Sequence, residues 1–118
     1  MKPNPLKEKS FRFALRIVKL YKYLNTEEKE FVLSKQLLRS GTSIGAMQRE
    51  SEHAESKPDF IHKLSIAQKE CNESLYWLEL LYKTDYISEK AYSSIYNDAE
   101  ELMKLITAII KKTKSINN

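Results

Sequence analysis

Residues 59–82 read DFIHKLSIAQKECNESLYWLELLY. Within this stretch Phe60, Leu64, Ala67, Cys71, Leu75, Leu78 and Tyr82 recur at steps of three and four, the spacing that places them on one stripe of an α-helix. A helix of this length cannot bury such a stripe alone, since most helical stability in water comes from packing an amphipathic face on partners. The rest of the chain supplies the partners. Upstream, Leu6, Phe13, Ile17, Leu20, Tyr21 and Leu24 form one stripe, and Phe31, Ser34, Leu37, Leu38, Gly41, Ile44, Gly45 and Gln48 form another. Downstream, Ala91, Ile95, Ala99, Leu102, Ile106 and Ile109 form the last, with Leu105 and Ile110 beside it.

Local signals bound these helices. Pro5 suits a first turn, where its missing N–H is not needed, and helix one is placed at residues 5–24. Asn25 followed three residues later by Glu28 reads as a capping box opening helix two, placed at residues 26–55. Ser56, Pro58 and Asp59 together mark the start of helix three, residues 57–83. Ser88 with Glu89 opens helix four, residues 88–112. Two Gly and three Pro in 118 residues are too few for a turn-rich β protein. The expectation is one all-α domain, residues 1–118, folded as an antiparallel up-down-up-down four-helix bundle.

Residues 40–46, SGTSIGA, are the oddity in helix two. Two glycines in a helix each destabilise it by about 1 kcal/mol relative to Ala. Gly41 and Gly45 fall on one face, which suits close approach of a neighbouring helix; a kink or a short loop splitting the helix would answer the same composition. A phosphate-binding loop does not fit, because no Lys-Ser/Thr follows and no strand precedes.

Apolar residues also stand off the main stripes: Phe11, Leu15 and Val18 in helix one, and Ile66, Trp77 and Leu80 in helix three. A Trp outside the intrachain stripe beside Leu80 makes an unfavourable patch in water, so these six residues are assigned to a homo-oligomer interface.

Few residues carry chemistry. Cys71, the single cysteine, cannot form an intrachain disulfide and sits on the core stripe without a His in register. Glu50-x-x-His53 and Asp59-x-x-His62 have the spacing of metal-binding bundles, but on helical geometry they point away from the stripes toward solvent. Glu52 and Glu55 continue the inward line below Gln48, or reach solvent at the bundle end. No metal, cofactor, small-molecule substrate or catalytic residue is assigned. No apolar run approaches the ~20 residues of a membrane span, and the absence of a signal peptide and of a disulfide framework gives a cytoplasmic expectation.

Charge is the remaining signal. The chain carries +4 overall, yet residues 1–24 hold seven Lys/Arg against one acid, a local +6, leaving −2 for the rest. Lys9, Arg12, Arg16 and Lys19 step by three, four and three along one face of helix one, and Tyr23 continues the line. Such a strip can neutralise phosphates of RNA or DNA without reading bases. An ordinary solvated helix face has the same pattern, and repetition across subunits is what would strengthen its field.

Residues 36–46, QLLRSGTSIGA, together with DFIHKL at 59–64 and LYWLELL at 75–81, resemble the signatures of bacterial four-helix-bundle proteins first noted in intervening sequences of 23S ribosomal RNA genes. The similarity runs from Phe11 to about Lys111. It implies assembly as a homopentamer. That family is similar in turn to the accessory protein of diversity-generating retroelements, a basic pentamer associated with nucleic acid. No catalytic residue comes with the resemblance. Where the signature usually continues Asn-Ile-Ala-Glu, this chain has Met47-Gln48-Arg49-Glu50. The expected function is a non-enzymatic nucleic-acid-binding accessory protein, RNA first, with a protein-interaction scaffold as the alternative.

Overall fold

The structure, a computed structural model, describes residues 3–116. It contains four α-helices, α1 (Pro5–Thr26), α2 (Leu33–Ser51), α3 (Lys57–Lys83) and α4 (Glu89–Ser115), and no strand among the described residues. Three helices open on side-chain caps. The Asn4 carboxamide oxygen accepts from the Lys7 N–H at 3.0 Å, the Ser56 hydroxyl from Asp59 N–H at 3.1 Å, and the Ser88 hydroxyl from Ala91 N–H at 3.2 Å. Each cap satisfies an amide that the helix itself leaves without a partner.

The second helix is shorter than residues 26–55. Asn25 and Thr26 belong to α1, and the Asn25 amide donates to Tyr21 O at 2.7 Å instead of opening a new helix. Glu28 accepts from the Tyr23 hydroxyl at 2.7 Å. The start is made by Glu30. Lys29 takes a left-handed φ of 55°, turning the chain so that the Glu30 carboxylate accepts from the N–H groups of Val32, Leu33 and Ser34 at 2.9, 2.9 and 2.6 Å. Ser34 Oγ donates back to Glu30 O at 2.9 Å. Helix α2 therefore starts at Leu33, and Phe31, expected on its apolar stripe, lies in the connection with 55 % of its surface exposed. At the other end α2 stops at Ser51, and Glu52, His53 and Ala54 continue only as single turns bonded to Arg49, Glu50 and Ser51. Helices α1 and α4 extend two and three residues beyond residues 24 and 112.

The α3–α4 connection closes with a Schellman motif. Tyr86 N–H donates to Leu81 O at 2.9 Å and Asp85 N–H to Tyr82 O at 3.0 Å, with Asp85 in the left-handed region at φ 69°. Asp tolerates this conformation less well than Gly. Asp85→Gly relieves a left-handed penalty of about 1–2 kcal/mol, partly offset by the larger unfolded-state entropy of Gly, so a net gain of about 0.5–1 kcal/mol is expected, read as a higher urea midpoint with an unchanged slope.

The predicted stripes form most of the core; Leu81, on none of them, is also fully buried, whereas Phe60, Leu75 and Tyr82 are only partly buried against it. Leu6, Phe13, Ile17, Leu20 and Leu24 of α1 meet Leu37 and Ile44 of α2, Leu64, Ala67, Cys71, Leu78 and Leu81 of α3, and Ile95, Ala99, Leu102, Ile106 and Ile110 of α4. At the end of α4 it is Ile110, not Ile109, that is buried. The helices pack in the cyclic order α1–α2–α3–α4, and among the described residues no Cα of one diagonal helix comes within 8 Å of a Cα of the other. Of the four seams, α1–α4 has the least close backbone approach.

The small residues of α2 serve two close seams. The helix runs unbroken through both glycines. A Cβ on Gly41 would lie 2.8 Å from Ile17 Cγ1, so α1 sits against bare backbone there; at Gly45 the nearest atom is Ser10 O at 3.5 Å. On the other side Ser40 and Ser74, both fully buried, meet hydroxyl to hydroxyl at 3.0 Å and join α2 to α3.

Candidate nucleic-acid interface

The outer face of α1 is what the packing leaves over once Phe13, Ile17, Leu20 and Leu24 are inside. Lys9, Arg12, Arg16 and Lys19 lie along the flank toward α4, but the structure separates them into two kinds. Lys9 Nζ is 2.5 Å from Glu101 Oε1, and Arg16 Nη1 is 2.6 Å from Asp98 Oδ2, with Arg16 Nη2 donating to Ser94 Oγ at 3.0 Å. Arg12 and Lys19 are exposed and make no ion pair among the described residues. A shallow groove runs between the two helices, floored by Phe13 and edged by Leu15, Arg12, Asp98 and Glu101.

Beside this strip, Phe11 and Leu15 each keep half of their surface exposed. The Arg49 guanidinium lies 5.3 Å from the centre of the Phe11 ring, bringing a cation from α2 to the edge of the same face. Val18 is half-buried. The α3 members of the expected interface also sit lower than Phe11 and Leu15. Ile66, Leu80 and Trp77 are half-buried, and Trp77 packs on this chain's own core. Its ring meets Tyr76 edge-on at 4.9 Å, and its indole N–H is buried with no acceptor among the described residues. Val32, Tyr76 and Ile116, at 70, 57 and 48 % exposure, were not singled out from sequence, and Phe31, at 55 %, was placed on a core stripe instead. The run Phe31-Val32-Leu33 carried a signal, since three consecutive apolar residues cannot all face a helical core.

The residues considered for chemistry are dispersed. Glu50 and His53 are exposed, Glu50 3.6 Å from Lys63 Nζ; Asp59 accepts from Glu55 N–H at 3.1 Å; His62 is exposed. No three His, Cys, Asp or Glu side chains come together in a metal-binding group among the described residues. Glu52 and Glu55 reach solvent, but Glu52 also anchors the bundle end. Lys7 Nζ donates to one of its oxygens at 3.2 Å and Gln48 Nε2 to the other at 3.1 Å, and these bonds hold its carboxyl below the usual range. Gln48 is buried, and its Oε1 finds no partner among the described residues. Cys71 is fully enclosed, its Sγ donating to Ala99 O at 3.2 Å, and burial pushes the thiol up to about 12. It is therefore protonated at neutral pH and a poor nucleophile.

Fold and surface thus define a small four-helix bundle with a divided basic strip and a partly apolar outer face. Residues 4–108 match the model of the 23S rRNA-intervening sequence protein family, and the chain belongs to that family. Among solved structures, it is similar to the crystal structure of a protein with unknown function from the S23 ribosomal protein family of Bacteroides thetaiotaomicron. The two share 61 % identity and a TM-score of 0.89, over 90 % of this chain and 98 % of that one. No curated protein matches the chain. No helix among the described residues is long and apolar enough to cross a membrane.

Proposed function

We propose that this chain is a non-enzymatic, cytoplasmic accessory protein that assembles as a homopentamer of antiparallel up-down-up-down bundles and binds RNA, or DNA, through the basic strip of α1. The observation that carries the reading is the exposed, unpaired pair Arg12 and Lys19 on a helix whose region holds the chain's whole positive excess. Phosphates attract such side chains without regard to sequence, and a ring of subunits multiplies the effect. The family's description refers to 23S rRNA, and the Bacteroides relative is described as of the S23 ribosomal protein family, which supports an RNA setting. The antiparallel arrangement is supported by contacts that run in opposite chain directions, Gln68 with Thr107, Cys71 with Ala99 and Tyr82 with Tyr92. Exposed Phe11 and Leu15 support assembly, because such apolar area is better covered than wet.

A protein-interaction scaffold is the second reading, favoured by Phe31, Val32 and Tyr76, which are apolar, exposed and away from the strip. Light scattering with and without bacterial RNA separates the two. The expected result is a pentamer that takes up RNA at low salt and releases it at high salt. Arg12→Glu/Lys19→Glu should weaken uptake and flatten the salt slope by about 1.4 for single strands. A pentamer indifferent to RNA would move the assignment to the scaffold, and a monomer would remove the assembly.

A further inference from the structure

Two of the four cations on the α1 strip already hold anions that belong to the protein. Asp98 and Glu101 are three residues apart, so they share one face of α4, and that face looks across the α1–α4 seam at Arg16 and Lys9. Ion pairs also join α2 to α3, Arg39 with Glu70 and Glu73 and Lys63 with Glu50, but of the basic strip only Lys9 and Arg16 are paired among the described residues, both at this seam. Arg12, between the two paired cations in sequence, stays free beside the same groove. The backbones of α1 and α4 also approach each other less closely than those of the other neighbouring helices, and these long side chains bridge that wider gap at its outer edge.

We propose that Asp98 and Glu101 are an autoinhibitory cover, carboxylates standing where phosphates of a nucleic acid would otherwise bind, so that the fold presents half of its basic strip and keeps the other half in reserve. This rests on the nucleic-acid reading of α1 and adds its regulation. The side chains of both pairs are between 38 and 55 % exposed. Ion pairs of that exposure shift an equilibrium by no more than about fivefold each. The cover is therefore weak enough for a polyanion delivering several phosphates at once to displace it, and strong enough to compete with single anions. Its effect on RNA is a penalty of up to about twenty-five-fold for the two pairs together. The strip thereby adds a threshold to the preference for dense negative charge that any row of cations has.

The test compares five full-length proteins binding a fluorescein-labelled oligouridylate across a salt series: wild type, Asp98→Asn/Glu101→Gln, Glu79→Gln/Glu100→Gln, Arg12→Glu/Lys19→Glu, and Asp98→Asn/Glu101→Gln combined with Arg12→Glu/Lys19→Glu. The Glu79 and Glu100 variant carries the same change in net charge at exposed positions outside these pairs. Uncovering should tighten binding about five- to twenty-five-fold at low salt, against little change for the control. The combined variant should bind more tightly than Arg12→Glu/Lys19→Glu alone, because Lys9 and Arg16 have been released. If wild type binds and both neutralised variants tighten equally, or not at all, the cover is overturned while RNA binding stands. If neither wild type nor the uncovered variant binds at low salt, the nucleic-acid reading itself falls and the cover with it. Unchanged helicity by circular dichroism keeps each comparison between folded proteins.

Discussion

Gly41→Val is expected to destabilise the bundle by about 3 kcal/mol or more, while Gly45→Ala, four residues away on the same helix, is expected to stabilise it by up to about 1 kcal/mol. The difference lies in what each position faces. A first carbon on Gly41 would stand 2.8, 3.0 and 3.3 Å from Cγ1, Cγ2 and Cβ of Ile17. Ile17 is fully buried and β-branched within a helix, so its χ1 has one strongly preferred setting and the side chain cannot swing aside. Relief has to come from moving α1 away from α2, which loosens the seam on both sides of the contact. Even Gly41→Ala should be net destabilising by about 1 kcal/mol, overpacking exceeding the gain in helix propensity. At Gly45 the nearest atom is 3.5 Å away, ordinary contact distance, and only the propensity gain remains. Urea midpoints moving in opposite directions for Gly41→Ala and Gly45→Ala would establish the close approach. Equal tolerance would remove it.

Glu30→Ala is expected to lower stability by about 3 kcal/mol at neutral pH, because one carboxylate serves three amides at the start of α2 and hydrogen bonds to charged groups are among the stronger ones. The group is buried, and burial pushes its pKa up. The N–H groups of Leu33, Ser34 and Val32 outweigh that and hold it below the usual carboxylate value. A carboxylate with a depressed folded pKa contributes stability that is complete above its unfolded pKa, about 4.5, and that disappears as pH falls through the lower folded value. Glu30→Gln keeps an acceptor but no charge and has no such dependence. The wild type should exceed Glu30→Gln in stability at pH 7, and the gap should narrow below about pH 4.5. A gap that is constant from pH 7 to pH 3 would mean that the charge is irrelevant and only the hydrogen-bonding shape matters.

These two sites also mark where sequence is transparent and where it is not. The stripes were legible because burial in a bundle follows helical period: most residues on them are inside, the others are partly buried, and only Phe31 is exposed. Caps whose partner lies three residues away, as at Ser56 and Ser88, were legible for the same reason: the geometry is local. Asn25 and Glu28 offered an equally good local pattern, yet Lys29 enters the left-handed region and hands the cap to Glu30, a choice set by how α1 and α2 must turn to pack. The divided basic strip was not legible at all. Lys9 meets Glu101 and Arg16 meets Asp98 across most of the chain's length, and spacing along one helix carries no information about charges on another. Trp77 shows the converse. Its angular position placed it off the stripe correctly, but a large side chain reaches around its helix, so angle alone overstated its exposure.

Cys71 gives the molecule a chemical clock. It is the chain's single sulfhydryl, it has no surface in contact with solvent, and it is held protonated between α3 and Ala99 of α4. A thiol reagent can reach it only when those two helices part. The rate at which the folded protein is alkylated therefore reports how much of the time its interior is open, and at high reagent, where alkylation outruns reclosing, the opening rate itself, with no probe introduced and no residue changed.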